Sequence, residues 1–517
     1  MVGVVRDERG IAMIAVVVVG FILFSLVTAT LVFAVNSLDV SRRDQDWNAA
    51  LAAAEAGLDD YLLRLNADGG YWRYSATNLP PDGNRAFVQW TNIPGPSNQG
   101  RFRYDVDTSQ LLTNGTIRIV SSGKVNDVVR SVESVLRRRN FLDYLYFTEY
   151  ETLDPLEYPS DQRAWAQQNC LRHYYDRPGR DPRCVEINFF TRDRIRGPLH
   201  TNDALLVSGN PRFEGETSTS WNDPSGKRWR DGLAARGQGR SVPSWARNND
   251  PAFGPPLRMP PNNTALKAEA DPALGGQGCL YSGPTRITLR ATGTMDVTSP
   301  FTPSGGSCGV GTNRPLPRNG VIYVENLRPN NPNAGCRTHP LGYPIANDRT
   351  TYSCSAGDVF VSGMLDGQLT IASENNIVVT GDLVYEDAGR YDDLLGLVAN
   401  NHVQIYHPVH RTNGSNLSGS VSDLDIHAAI LSVQHSFIVQ NYSSGAPLGR
   451  LSVLGAIGQQ FRGPVGTFSG NQVSTGYEKD YVYDQRLRYL SPPKFLDPVQ
   501  SAWRVAVWSE IAPAHRP

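Results

Sequence analysis

Residues Ile11 to Val35 read IAMIAVVVVGFILFSLVTATLVFAV, and this run decides the architecture. It contains no Asp, Glu, Lys or Arg. As a helix it extends roughly 37 Å at about 1.5 Å per residue, more than the ~30 Å hydrocarbon core of a bilayer. A helix buried in a soluble core is seldom apolar on every side, so the run reads as a membrane span. A cleaved secretory signal is the alternative, with Ala34 at the small-residue cut site. Arg6 and Arg9 precede the run and Arg42 and Arg43 follow it. The Lys/Arg bias that orients a span is therefore nearly tied.

The helix is expected to continue beyond the lipid. Asp46 to Leu65, DWNAALAAAEAGLDDYLLRL, is rich in the strong helix formers Ala and Leu. Leu51, Ala54, Leu58, Leu62 and Leu65 recur at three- and four-residue steps, which makes one apolar stripe. Asn66-Ala67-Asp68-Gly69-Gly70 supplies a stop. Three alternating segments follow: Arg101–Asp107, Gly115–Ser121 and Val128–Leu136. Alternation, a turn at Ser122–Asn126 and further alternation predict an antiparallel meander packed on the helix. The run Arg137-Arg138-Arg139 reads as a solvated edge, with a lipid-headgroup contact as the alternative.

These features together resemble type IV pilin-like proteins, in particular the PilX-type minor pilins. The resemblance rests on the polar start Arg6-Asp7-Glu8-Arg9-Gly10, on the helix that outlasts the membrane, and on the Ala-rich Asn48–Leu58 with its AAEAG stretch. It covers about the first 140 residues. It implies cleavage by a prepilin peptidase after Gly10, leaving Ile11 as the mature N-terminus, and packing of the helix with other pilin-like subunits. There is one departure. Most major pilins carry Glu at the fifth mature position, where its carboxylate neutralises a neighbour's amine; here that position is Ala15. An unpaired ammonium in lipid is costly, so the resemblance implies a minor, initiating or anchored role.

After Asn140 the texture changes. Stretches 151–190 and 210–275 are polar and rich in Pro and Gly, and read as long loops. Between and after them a weak unit recurs at Gly197–Val207, Gly367–Val379, Gly396–Tyr406, Ala428–Val439 and Gly455–Val465. Each has a small residue, a short apolar strand, an Asn or Gln near a corner, and a second apolar strand. Such units bury a core only by stacking, and Asn tolerates the backbone of a tight corner. The expected fold is α+β: a membrane-spanning helix on a small antiparallel sheet, then a mainly-β domain built as a parallel β-helix or solenoid. A β-sandwich is the alternative. Ala502–Ile511 is expected to be a strand or helix that caps the solenoid. The expected divisions are a leader 1–10, the helix 11–66, the sheet 67–139, the β-body 140–500 and a tail 501–517.

Cys170, Cys184, Cys279, Cys308, Cys336 and Cys354 form no CxxC pair and no zinc-type spacing. An even count suits disulfides in an oxidising compartment, which places the C-terminal body outside the cell membrane. Sequential pairing (170 with 184, 279 with 308, 336 with 354) is one of the fifteen connectivities open to six cysteines. Buried free thiols are the alternative. The formal net charge of −1 removes the electrostatic reason to expect nucleic acid as a partner.

No catalytic, cofactor or metal motif stands out. Solenoids host polysaccharide-cleaving enzymes that use clustered carboxylates, so Asp392 with Asp393, Asp423 with Asp425, and Asp358, Asp366 and Asp382 were weighed for that chemistry. Turn residues explain each of them. His402, His407 and His410 read as turn residues in the same way. Tyr477, Tyr481 and Tyr483 suit core packing better than sugar stacking. The expectation is a non-enzymatic assembly component of a type IV pilus or related secretion system, with surface glycans as a further partner class. A membrane-tethered carbohydrate-active enzyme is the alternative.

Overall fold

The computed structural model describes residues 9–515 except 69, 95–99, 112–115, 139, 177–178, 247–249, 304–307, 389–392, 470–471, 489 and 499–502. Arg6, Asp7, Glu8, Gly115, Arg139, Asp392 and Ala502 lie outside the described residues. The chain forms two compact units: Met1–Arg138 with Ala502–Pro517, and Arg139–Ser501. The fold is α+β, with one N-terminal apolar helix and a large, mostly-β second unit.

In the first unit, helix α1 runs unbroken from Arg9 to Ala67, 59 residues. Its segment Met13–Ala34 has a mean hydropathy of 2.7 and buries nothing, so it is long and apolar enough to cross a membrane. From Ala50 onward one face is covered: Ala50, Ala53, Ala54, Leu58, Tyr61 and Leu65 are buried. The expected stripe is rotated slightly, because Leu51 and Leu62 lie half-buried at its margin. Small residues take the centre instead. A Cβ on Gly57 would stand 2.4 Å from Ser121 Oγ, and one on Gly123 would stand 2.1 Å from the Ala50 carbonyl. The helix therefore meets the sheet at backbone distance.

That sheet contains β1 (Thr91–Asn92), β2 (Arg101–Asp107), β3 (Thr116–Val125) and β4 (Val128–Arg138), antiparallel in that order. The meander read from the alternating segments is present, with Tyr104 opposite Ser121 and Ile119 opposite Ser134, but Ser122, Gly123 and Lys124, expected to form the turn, continue β3, and the turn falls at Asn126 and Asp127. The C-terminal segment corrects an expectation. Trp503–Ile511 is a strand, but it pairs antiparallel with β4 in this first unit rather than capping the second. The physical reason is the edge it covers: β4 carries buried Val129, Val132 and Leu136 and would otherwise be left open. Trp503 joins the core of Leu58, Tyr61, Phe87, Phe102 and Tyr104. Arg130 on β4 forks onto Glu510 at 2.7 and 2.6 Å and lies 4.6 Å from the Trp47 ring of α1.

In the second unit, short strands pair in parallel along ladders. One ladder keeps Cys279, Ile322, Ile371, Leu397, Ile430, Ile457, Tyr146 and Leu199 in successive register. A second aligns Thr285, Val359, Ile377, Val403 and Phe437. A third aligns Leu383, Ile426, Val453, Tyr481, Ile195, Phe213 and Trp245. Like sits on like, so inward apolar side chains form one core. The recurrent units read from the sequence supply many of these strands, and amides link their corners: Asn401 Nδ2 donates to Asn375 Oδ1 at 2.6 Å. Ladder order departs from chain order. Strand β5 (Tyr146–Tyr150) and Arg194–Arg196 follow Pro447–Phe461 and Gln472–Tyr483, covering hydrogen-bonding edges that would otherwise stay open. The stretch 210–275, expected to be loop, adds Arg212–Phe213, Thr217–Thr219, Ser244–Trp245 and Ala252–Phe253 to this arrangement. Three disulfides form, Cys170–Cys184, Cys279–Cys308 and Cys336–Cys354, and no cysteine is free.

Candidate functional site

The apolar half of α1 is one functional surface. Its side chains from Met13 to Phe33 are exposed, among them Phe21, Phe24, Leu31 and Phe33. Exposed apolar surface on that scale needs a non-aqueous partner. Gly10 and Ile11, the expected processing junction, lie within the helical backbone.

Among the described carboxylates considered for catalysis, Asp358, Asp382, Asp393 and Asp423 accept backbone N–H groups. Asp393 is buried; its Oδ1 accepts the Gly367 N–H at 2.6 Å and its Oδ2 the Asp387 N–H at 3.2 Å. Asp358 is buried as well, and its Oδ1 accepts from Asn375 Nδ2, Asn376 N and Asn376 Nδ2 at 2.6, 3.1 and 3.1 Å. Burial pushes its pKa up to about 6 against those three donors. Asp366 and Asp382 are exposed, so they do not share its environment. Asp423 stands in a positive-φ turn just before its strand and accepts the Arg450 N–H at 2.9 Å, while Asp425 lies on the strand itself. Tyr477, Tyr481 and Tyr483 are fully buried, as core packing requires.

The three histidines separate. His407 is buried, with Nδ1 2.9 Å from the Gln440 carbonyl and Nε2 3.0 Å from Asn416 Oδ1. His410 accepts the Thr412 N–H at 3.2 Å in its own turn. His402 joins a cluster that sequence reading missed. Its ring stacks 4.7 Å from His435, and Asp154 completes a trio whose ligand-type atoms lie within 4.8 Å of one another. The donor set decides what this trio does. His402 Nδ1 accepts the Ser436 N–H at 3.2 Å, which puts the neutral ring's proton on Nε2. His435 Nδ1 lies 2.8 Å from Asp154 Oδ2, so its proton is spent there. Burial holds His402 neutral, with its pKa pushed down to about 4. Within the trio the hydrogen bond runs between His435 and Asp154, while His402 stacks on His435 and bonds the Ser436 backbone. A cation would have to displace the Nε2 proton and the His435 bond.

A second buried cluster was equally hidden. Arg462 Nη1 lies 2.9 Å from Glu151 Oε2, and Lys479 Nζ lies 3.0 Å from Asp193 Oδ2. All four side chains are buried, and Phe189 lies under Arg462 at 3.4 Å from its ring centroid. Two positive groups against two negative ones leave the quartet neutral. Burial lowers the Lys479 pKa, with Asp193 opposing the shift, and raises that of Glu151, with Arg462 opposing.

No family model matches this chain, and no curated protein matches it. Among solved structures, the competence-associated pilin ComZ from Thermus thermophilus aligns over 90% of this chain and 97% of its own at 13% identity, with a TM-score of 0.29. So loose a superposition carries no inference about what this chain does.

Proposed function

We propose that the chain is a non-enzymatic, minor pilin-like component of a type IV pilus or related secretion system. Helix α1 anchors it in the bilayer and packs there with other pilin-like subunits. The β-body stands outside the cell, available as an adhesin. One observation carries this reading: a single unbroken helix whose first part is exposed, uncharged and predominantly apolar and whose second part beds at backbone distance on an antiparallel sheet. In PilX-type terms, a prepilin peptidase removes residues up to Gly10 and leaves Ile11 in front. Ala15 in place of the usual Glu favours a minor role over a filament-building one. The parallel ladders support a β-helix for the body, and the three disulfides support an oxidising compartment.

Terminal sequencing or mass mapping of the membrane-extracted protein tests the proposal. Ile11 as the first residue is expected. An intact Met1, or a new terminus near Ala34, contradicts it.

A further inference from the structure

Each disulfide closes a local loop, with sequence separations of 14, 29 and 18. None of them ties the early segment 146–213 to the late strands it stacks on. The parallel pair Arg194–Arg196 with Gln472–Tyr483 is part of that seam, with Asp480 opposite Arg194. The preceding residues, Asp193 and Lys479, consequently stand side by side although they lie 286 positions apart.

Their side chains meet in the interior, 1% and 6% exposed, with Nζ 3.0 Å from Oδ2. The same Oδ2 accepts the Phe190 N–H at 3.0 Å, which fixes the carboxyl group. Oδ1 is buried without a hydrogen-bond partner. Buried Phe189 has its ring centroid 5.9 Å from Nζ, and the buried Arg462–Glu151 pair stands beside Lys479 in the same quartet. A charged pair held there carries a desolvation cost that its mutual attraction must offset.

We propose that Lys479 and Asp193 are a covalent modification site, joined by an intramolecular amide between Nζ and Cγ. The balance is simple. Proton transfer within the ion pair gives a neutral amine and a neutral carboxylic acid. The amine lone pair attacks Cγ, forming the C–N bond. One C–O bond then breaks, and that oxygen leaves as water with the carboxyl proton and one amine proton. Nothing is oxidised or reduced, and no other reactant is needed. Burial favours the neutral amine, as the lowered Lys479 pKa reflects. Amide formation between free partners in water is unfavourable. Well-oriented neighbours reach effective molarities on the order of 10⁵–10⁸ M, which acts against that cost. The product would pin the early segment to the late strands permanently.

The test is mass spectrometry of the full-length protein extracted in detergent, then reduced, alkylated and denatured. The wild type is expected to be lighter by one water than the fully alkylated chain counted from its own mapped N-terminus. A proteolytic digest is expected to contain one branched peptide carrying both Lys479 and Asp193. The K479R and D193A chains are expected to show the full mass and no branched peptide. A wild type of full mass, cleaved normally after Lys479, overturns the proposal and leaves a simple buried ion pair. Loss of water mapped to one linear peptide overturns it too. The wild-type measurement decides by itself, whether or not the variants fold, and it is independent of how the N-terminus is processed.

Discussion

Gly123 and Gly57 set how near α1 comes to its sheet, and the Ala-rich stretch above them follows from the same closeness. A methyl group on Gly123 would meet the backbone of Ala50, Ala53 and Ala54 at 2.1 to 2.7 Å, and backbone cannot swing aside. Gly123→Ala is therefore expected to destabilise the first unit by about 1–3 kcal/mol, the usual cost of overpacking, read as a lowered midpoint in detergent-solubilised thermal unfolding. Asp358 supplies a pH prediction. Its folded pKa of about 6 lies above the ordinary 3.8, so the folded state keeps a proton that the unfolded chain has released. The stabilising effect of that proton is fully present below about pH 4 and lost as pH rises through about 6. Against Asp358→Asn, the wild type should lose on the order of 2–3 kcal/mol between those limits, and denaturant titrations at pH 4 and pH 7 check it. Breaking the other buried pair by Arg462→Met leaves Glu151 alone in the core and is expected to cost about 3–5 kcal/mol. A companion Glu151→Leu change should return much of that loss in the same denaturation assay. Local residue patterns foretold part of this. Leu58 and Leu65 were marked by their spacing and are buried. Arg462 with Glu151, and His435 with Asp154, were invisible because each pair joins positions 311 or 281 residues apart, and nothing in either local sequence signals its partner.

At the level of elements, helix α1 and strands β2 to β4 were readable because each carries its own periodicity. The last strand was readable as a strand, but its place was not. Its partner is chosen by the open edge of β4, a property of the folded sheet and not of Trp503–Ile511 itself. Truncation after residue 501 is accordingly expected to leave β4 unpaired, with faster amide exchange over Val128–Arg138 and increased aggregation. Unchanged protection of β4 would show that the strand is dispensable. The second unit repeats the lesson. Apolar runs announced short strands, which pair in parallel, yet the order of pairing departs from chain order, so Tyr146–Tyr150 stands beside Ile457.

For the molecule as a whole, two features point to one arrangement: an apolar helical segment with no buried surface, and a body whose six cysteines are all paired. On the proposed function the first is a membrane anchor and the second lies in an oxidising space outside the cell. Protease treatment of intact cells, followed by membrane fractionation, tests this most directly. The account predicts a chain that stays with the membrane through high-salt and alkaline washing and loses residues 140–501 to external protease. A chain found in the soluble fraction, or a body digested only after the cells are broken, would contradict it.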